Sequence, residues 1–374
     1  MPSLFRKKGA PAEGAGADDW GGRFLDALSR SNGLVSVAVV ALGFLVATLI
    51  LLAIGRSPAG MYQAIVQVVT GFDIRPGRGG WNARHIGEWL VMSSPLILCG
   101  LSMAFAARTG LFNIGAEGQY IVGLTVAQIV ALSFPPVPGL HVFVAVGAAV
   151  AAAAAWGGVV GFFKARYRVS EVVATIMMNY IALFFHRIVT LRLPGALPHR
   201  TPDYPGTAVL ASPFLSSITN SSRLNHGLWL TLIAILVFWV IMGRTRLGYA
   251  LRATGFNRDA AHYGGINVKA NITAAMAIAG AFAGLAGAVV ALGVFPFGRV
   301  LTAFEGYGFD GIAVALVGNS TAWGTALAGL LFGMLRSAQP VMQMRGIPME
   351  ITSMIVGMVV IFISLRAGLR LVID

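Results

Sequence analysis

The sequence predicts an all-α protein, a polytopic membrane bundle of about ten transmembrane helices. Three observations lead to this prediction. Hydrophobic residues make up 57% of the 374 residues, charged residues make up only 11%, and the mean hydropathy is +0.78. Soluble domains do not reach such values. Apolar runs recur along the chain, and the first, at 34–54, has no charge and enough length to cross a bilayer as a helix.

Ten apolar segments are predicted to span the membrane. With both termini in the cytoplasm, a modest majority of the Lys and Arg residues falls on the inner side. The net charge of +13 is concentrated between the apolar segments, so it indicates membrane orientation and not a nucleic-acid partner. The segments are 34–54, 86–107, 112–134, 140–163, 170–191, 226–243, 268–294, 306–318, 321–337 and 348–366.

Residues 1–33 are predicted to form a cytoplasmic tail, and residues 34–374 a transmembrane domain that includes a polar cytoplasmic loop at 244–269. In the tail, Trp20, Phe24 and Leu28 recur every four residues, which suits a helix on the membrane surface. The composition favours a disordered tail equally. Cys99 is the single cysteine, so no intramolecular disulfide can form, and the six His show no metal-ligand spacing. We predict no metal and no cofactor.

The loop 244–269 is a long polar interruption between two apolar segments. Asn257 can cap a short helix at 258–263, and Gly264 and Gly265 can end it, because glycine adopts positive φ angles at low cost. A helix this short cannot cross a bilayer. The loop is therefore predicted to hold a short helix outside the membrane.

Polar side chains inside apolar segments point to a pathway for a polar solute, since an acid in the bilayer costs about 2.5 kcal/mol or more unless it faces a cavity or a partner. Asn113 and Glu117 are four positions apart, which would place both on one face of a helix. Nearby aromatic rings, among them Tyr180 and Phe304, offer flat surfaces for stacking. The predicted pathway residues are Phe112, Asn113, Glu117, Gln119, Tyr120, Tyr307 and Asp310.

The alternative is that these polar groups hydrogen bond one helix to another, while the neighbouring glycines permit close packing. For Glu171 we favour this alternative, because it follows a basic cluster and stands, with Ser170, where its helix begins.

Two further features of the sequence concern helix length and internal symmetry. Segments 306–318 and 321–337 are short, which suits half-length helices that line a cavity within the protein. The openings of the third and eighth segments, at 112–120 and 304–312, each combine an aromatic residue, closely spaced glycines and an acid. In the predicted topology they run in opposite directions. This predicts that segments two to five and seven to ten are inverted repeats.

The sequence offers no catalytic motif. It contains no Gly-Lys dipeptide and thus no phosphate-binding loop, no His-Glu-x-x-His metal motif and no Ser/His/Asp set. We therefore do not predict an enzyme, and any ATPase that drives the protein must be a partner subunit.

Part of the loop 244–269 resembles a known docking motif. The pattern Asp259-Ala260-Ala261, three further residues and Gly265 is similar to the Glu-Ala-Ala-x-x-x-Gly loop with which permeases of ATP-binding-cassette (ABC) importers dock on their ATPase, with Asp in place of Glu. The resemblance implies ATPase docking for Gly248, Asn257, Asp259, Ala260, Ala261 and Gly265.

Two further motifs make the resemblance specific. Gly-Leu-Phe-Asn-Ile-Gly-Ala-Glu-Gly-Gln at 110–119 and Ser-Glu-Val-Val-Ala-Thr-Ile-Met-Met-Asn-Tyr-Ile at 170–181 resemble the nucleoside branch of the permease family that also serves ribose and branched-chain amino acids. The match covers most of the chain, from 86 to 366.

This resemblance implies a permease subunit of an ABC importer in the bacterial cytoplasmic (inner) membrane, which translocates nucleosides or related simple sugars inward. It implies three kinds of partner: a cytoplasmic ATP-binding subunit, a second homologous permease and an extracytoplasmic substrate-binding protein. The alternative function is an ion-coupled secondary transporter of small polar solutes, which would also use inverted repeats and intramembrane acids.

Overall fold

The computed structural model describes residues 32–73 and 80–373, and within these ranges the chain forms fourteen helices and four short strands. The predicted all-α class is confirmed. The predicted tail helix with Trp20, Phe24 and Leu28 lies outside the described residues. The helices are α1 (Asn32–Ala53), α2 (Ala59–Thr70), α3 (Arg84–Arg108), α4 (Ala116–Ser133), α5 (Leu140–Tyr167), α6 (Glu171–Leu191), α7 (Pro213–Ile218), α8 (Gly227–Arg244), α9 (Arg246–Phe256), α10 (Arg258–Tyr263), α11 (Val268–Gly293), α12 (Tyr307–Val317), α13 (Ala322–Gln343) and α14 (Glu350–Ile373).

The strands form two small antiparallel ribbons in the connections between helices. β1 (Phe72–Asp73) pairs with β2 (Gly80–Trp81), and β3 (Arg200–Asp203) pairs with β4 (Phe297–Arg299). The second ribbon joins the connection that follows α6 to the one that follows α11. It therefore ties together two loops that are far apart in the sequence.

Six of the described helices are long and apolar enough to cross a membrane: α1 from Ser36 onwards, α3, α5, α6, α8 and α11. With α4, α12, α13 and α14 they fall on the ten predicted segments. Since α12 has only 11 residues, it is about 17 Å long and reaches only partway across the hydrocarbon layer. The structure thus has a half-length helix where the segment 306–318 predicted one.

The prediction of a second half-length helix at 321–337 is wrong. The corresponding helix, α13, has 22 residues and continues to Gln343. Arg336 and Gln339 suggested the end of an apolar segment, but both face a cavity inside the protein. A polar residue is tolerated within a membrane span when it faces a cavity or a polar partner, so these two residues do not end the helix.

Three local predictions also need correction. The third span begins at Ala116, so Asn113 precedes α4, and the argument that Asn113 and Glu117 share one helix face does not hold. Two helices were not predicted from the sequence, namely α2 and α9, and α9 directly precedes the predicted short helix. A cap marks the start of α9, because the Thr245 hydroxyl accepts the Gly248 N–H at 3.0 Å.

The packing of the long helices agrees with two halves that share one pattern of contacts. The two most buried spans, α3 and α11, lie at the centre. α11 packs along α5 and α4, whereas α3 packs along α13 and α12. If α3 to α6 are exchanged with α11 to α14, each of these contacts maps onto a contact of the other half.

Glycine allows two of these helices to touch backbone to backbone. A Cβ on Gly123 of α4 would overlap the backbone of Gly284 in α11. Since lipid supplies no hydrophobic force between helices, such close approach is what stabilises their contact through van der Waals packing.

Candidate functional site

Glu117, at the start of α4, holds the start of α12. Its carboxylate accepts the backbone N–H of Gly306 at 2.8 Å and that of Gly308 at 2.6 Å. Gly306 is the N-cap residue of α12 and Gly308 lies in its first turn, where a helix has no internal acceptor for its N–H groups. Gly308 lies so close to the Glu117 backbone that a Cβ would overlap it. The fully buried Glu117 therefore joins two helices within the membrane.

Asn113 and Gln119 form a second buried contact. The Asn113 amide donates to Gln119 at 2.9 Å and to the Ser102 hydroxyl at 3.0 Å, while the Gln119 amide donates back at 3.2 Å. Asn179 of α6 accepts the Gly118 N–H at 2.8 Å. This is the geometry of the alternative considered for these residues, namely helix-to-helix hydrogen bonding. Both side chains are buried, and neither lines the polar cavity between α3, α12, α13 and α14.

Tyr120 belongs to an ionic cluster around Glu305. The buried Tyr120 hydroxyl donates to the Glu305 carboxylate at 2.5 Å, and both ends of the Arg299 guanidinium pair with the same carboxylate. Burial acts to lower the pKa of Arg299, but the hydrogen bond and charge of Glu305 outweigh it, and the pKa is raised. Arg299 and Glu305 were not among the predicted site residues. Glu305 lies in the glycine-rich opening of the eighth segment and Arg299 precedes it by six residues, which was a signal in the sequence.

Tyr307 and Asp310 face a polar cavity of about 630 Å³ between α3, α12, α13 and α14. Arg336 of α13 pairs with the Asp310 carboxylate at 3.2 Å and donates to the Glu305 carbonyl at 2.8 Å. Its guanidinium lies 4.3 Å from the centroid of the Tyr307 ring, within range of a cation–π contact. Gln339 also lines the cavity.

The cavity combines a carboxylate, a guanidinium, an amide and an aromatic ring, and it is of a size typical of small-molecule sites. Thr352 and Ser353 of α14 also line the cavity. Of the seven predicted pathway residues, only Tyr307 and Asp310 lie there. Arg336 and Gln339 were missed because the predicted span 321–337 ended near them.

Phe112, the remaining predicted pathway residue, is partly exposed and lies outside this cavity. A separate group of aromatic rings opens on the surface of the bundle. The centroids of Tyr180 and Phe304 are 5.2 Å apart, and those of Phe304 and Phe309 are 5.7 Å apart. Tyr180 and Phe309 are both exposed. These rings therefore offer an apolar, stackable face to lipid or to another chain.

Glu171 contacts another helix and not the cavity, as the sequence favoured for this residue. It forms an ion pair with Lys164 across the turn between α5 and α6. Ser170 precedes α6 but makes no side-chain cap hydrogen bond. The ion pair of Glu171 agrees with the structural role predicted for it.

The predicted short helix is present as α10, with the predicted bounds. Asn257 caps it, accepting the N–H groups of Asp259 and Ala260 at 3.0 Å each. Gly265 has a φ of 79°, which glycine alone adopts without strain. On either side of α10, Phe256 is 95% exposed and Tyr263 is 93% exposed. The two rings form an exposed apolar surface at the ends of α10.

The predicted docking residues divide into two groups. Asn257, Asp259, Ala260 and Gly265 are exposed, whereas Ala261 and Gly248 are buried. Gly248 lies against the Ile241 carbonyl, where any Cβ would overlap the backbone. A direct contact between Gly248 and a partner is therefore not available in this geometry, and its role is to let α9 pack on α8.

Two more contacts fix α9 beneath the bundle. Gly255 packs against the backbone of Arg108 at the end of α3, again without room for a Cβ. The Asn271 amide of α11 donates to the Thr254 hydroxyl at 3.1 Å. Because only Thr245 separates α8 from α9, the helix that leads into α10 is attached to three spans.

A helical bundle that crosses the membrane repeatedly, contains a polar cavity and carries a short polar helix outside the bilayer has the architecture of a transport permease. Residues 85–364 match the protein family described as "Branched-chain amino acid transport system / permease component". The chain belongs to this family. No solved structure matches it.

Three relatives are similar over most of their length. The guanosine ABC transporter permease protein NupP of Bacillus subtilis (strain 168) is 40% identical over 343 residues, which cover 91% of this chain and 96% of that protein. The nucleoside ABC transporter permease protein NupB of Lactococcus lactis subsp. cremoris (strain MG1363) is 35% identical over 340 residues, covering 89% and 91%. The glucose ABC transporter permease protein TsgB13 of Haloferax volcanii is 31% identical over 291 residues, covering 74% and 75%.

The predicted class, an ABC permease in the cytoplasmic membrane, is confirmed. Membership of this family does not favour the secondary-transporter alternative. Members of the family are permease components of transport systems, so the chain is a transport subunit and not a catalytic one. ABC permeases in general work with an ATPase and a substrate-binding partner.

Proposed function

We propose that this chain is the permease subunit through which an ABC importer moves nucleosides, or related simple sugars, into the cell. The observation that carries the proposal is its similarity over nine-tenths of its length to a guanosine permease and a nucleoside permease. The more distant glucose permease supports the wider substrate class of hydroxyl-rich solutes.

The cavity between α12, α13 and α14 is the proposed substrate pathway within this chain. The Asp310 carboxylate and the Gln339 amide suit the ribose hydroxyls of a nucleoside, and the Tyr307 ring offers a face for a flat base. Its volume of about 630 Å³ suits a solute of this size. Because transport requires release, these contacts should hold the solute only weakly.

The short helix α10 and its flanking aromatic rings are the proposed docking surface for a cytoplasmic ATP-binding subunit, which would hydrolyse the ATP. Phe256 and Tyr263 are almost fully exposed at either end of α10. Burying such rings would supply much of the binding energy of an interface. Asp259, in place of the Glu of the docking motif, lies between them and remains exposed.

A second homologous permease and an extracytoplasmic substrate-binding protein are the other proposed partners. In support of a second permease, the exposed ring of Tyr180 lies in an apolar stripe along α6. The exposed residues of that stripe are Val173, Met177, Tyr180, Ile181, Phe184 and Ile188. A second permease that packs on this stripe would also cover the Phe304 and Phe309 rings.

Uptake into vesicles tests the energy source and the substrate together. The permease, assembled with its ATP-binding subunit, should accumulate labelled guanosine when ATP is supplied to the cytoplasmic face, and ionophores that collapse proton and sodium gradients should leave uptake unchanged. An excess of unlabelled nucleoside should compete, whereas a branched-chain amino acid should not. Loss of uptake with the ion gradient at constant ATP would contradict ATP coupling, and competition by the amino acid would contradict the substrate.

A further inference from the structure

A cleft of about 190 Å³ lies at the inner ends of the spans, between α3, α8, α9 and the start of α13. Its charged residues are Arg108, which ends α3, and Arg252 of α9. Its apolar wall comes from α8 and consists of Phe238, Trp239 and Met242. Neither the proposed pathway nor the proposed docking surface includes this cleft.

The two arginines form a site of uncompensated positive charge. In the part of the chain that the structure describes, no Asp or Glu forms a salt bridge with either guanidinium. Arg108 donates to the Ser320 carbonyl at 2.7 Å and to the Asn319 carbonyl at 3.5 Å, and both acceptors are neutral. Two like charges in one cleft favour an anion between them, since guanidinium pairs well with phosphate and carboxylate oxygens.

The backbone that positions Arg108 is unusual. Asn319 and Ser320 have φ angles of 55° and 48°, in the left-handed region that non-glycine residues seldom adopt. This turn directs two successive carbonyls towards one guanidinium. The cleft thus holds Arg108 in a fixed place beside Arg252.

The apolar wall indicates what kind of anion fits. Trp239 is partly exposed near the inner end of α8, at the level where tryptophan marks the membrane interface. The Arg244 guanidinium lies 5.2 Å from its ring centroid and adds a third positive charge at the rim. Further out along α8, Ile233, Leu236 and Val240 are exposed to the membrane. An occupant with its anion between the arginines would have an apolar surface directly behind it.

We propose that this cleft binds the phosphate headgroup of an anionic phospholipid from the inner leaflet, with Arg108 and Arg252 on the phosphate and Trp239 beside the acyl chains. Basic pockets between spans on the cytoplasmic side are typical sites for such headgroups. The bound lipid would connect α3, α9 and α13. The lipid would stabilise the position of α9. Its binding does not depend on which solute the permease carries.

Lipid retention by the purified full-length permease, assembled with its ATP-binding subunit, tests the proposal. We would add phosphatidylglycerol or phosphatidylcholine in mild detergent and count retained lipids by native mass spectrometry. The double variant Arg108→Gln with Arg252→Gln should bind phosphatidylglycerol about 30-fold more weakly than the unmodified chain. The matched control, Arg168→Gln with Arg246→Gln, removes two exposed charges from the same side of the membrane outside the cleft, and its affinity should be unchanged.

Because Arg108 also donates to backbone carbonyls, replacing it could disturb the fold, so a variant of Arg252 alone serves as a second test. Arg252→Gln leaves those hydrogen bonds intact and should weaken phosphatidylglycerol binding about 5-fold. Equal retention by Arg252→Gln and the unmodified chain would overturn the proposal. So would equal retention of phosphatidylcholine, because the headgroup charge would then not be recognised. Displacement of phosphatidylglycerol by inorganic phosphate would assign the site to a free anion and overturn the lipid assignment.

Discussion

The Glu117 carboxylate accepts the Gly308 N–H at 2.6 Å, inside the membrane and between the two halves of the bundle. Glu117 lies in the first turn of α4 and Gly308 in the first turn of α12. The side chain at the start of one helix therefore accepts an N–H group that has no acceptor within the other helix. An acid in the bilayer first suggests contact with a solute. Here two backbone donors already occupy its oxygens.

Replacing Glu117 with Leu should destabilise the permease and not selectively slow transport. The change would leave two buried N–H groups without an acceptor, at about 1–3 kcal/mol each. We expect a lower melting temperature in detergent and less protein in the membrane. Glu117→Gln, which keeps one acceptor oxygen, should lose less. If Glu117→Leu has normal abundance and a normal melting temperature but has lost uptake, the result would support a role of Glu117 in the substrate pathway.

Gln339→Leu should slow uptake while the protein remains folded. Gln339 lines the polar cavity, and no hydrogen bond to its side chain is seen among the described residues, so its amide is free to contact a solute. Loss of one such hydrogen bond should reduce uptake about 3- to 10-fold. Gln343→Leu, at the exposed end of the same helix, is the matched control and should transport normally. Equal effects of the two changes would argue against a pathway through this cavity.

Asp310 and Arg336 should behave as a coupled pair. Arg336→Leu leaves the Asp310 carboxylate without its partner, and Asp310→Leu does the same to the guanidinium. The double variant should be more stable than the sum of the single changes predicts, by about 1 kcal/mol or more. Unfolding of the four proteins in detergent measures this interaction. Strictly additive effects would mean that the ion pair contributes nothing to the fold.

Replacing Phe256 and Tyr263 with Asp should detach the ATP-binding subunit. Both rings are almost fully exposed, so the changes should not disturb the fold of the permease. If the rings are central to the interface, each is worth about 2 kcal/mol of binding, or roughly 30-fold. Co-purification of the subunit and ATP-driven uptake should both fall. Phe214→Asp, an exposed ring on α7, is the control, and loss of uptake in that variant would point to a general effect of surface charge.

The sequence predicted features that depend on near neighbours. The cap at Asn257 and the positive φ of Gly265 follow from residues within one or two turns, and both occur at the predicted positions. The apolar spans were also predictable, because lipid imposes a minimum length on each. For these features the sequence contains the whole physical cause.

The lining of the cavity depended on distant neighbours and could not be predicted in the same way. Glu117 and Asp310 look alike as acids within apolar segments, yet one meets backbone donors of α12 and the other meets Arg336. The roles follow from which helix packs opposite each acid. Asn113 was misjudged for a local reason, because the helix was assumed to start before Ala116.

The three attachments of α9 have a mechanical consequence. Gly248 and Gly255 bring its backbone into contact with α8 and with the end of α3, and Thr254 bonds to Asn271 of α11. Close-packed contacts of this kind have low compliance. A displacement of α10 would therefore be transmitted through α9 to α8, α3 and α11 together.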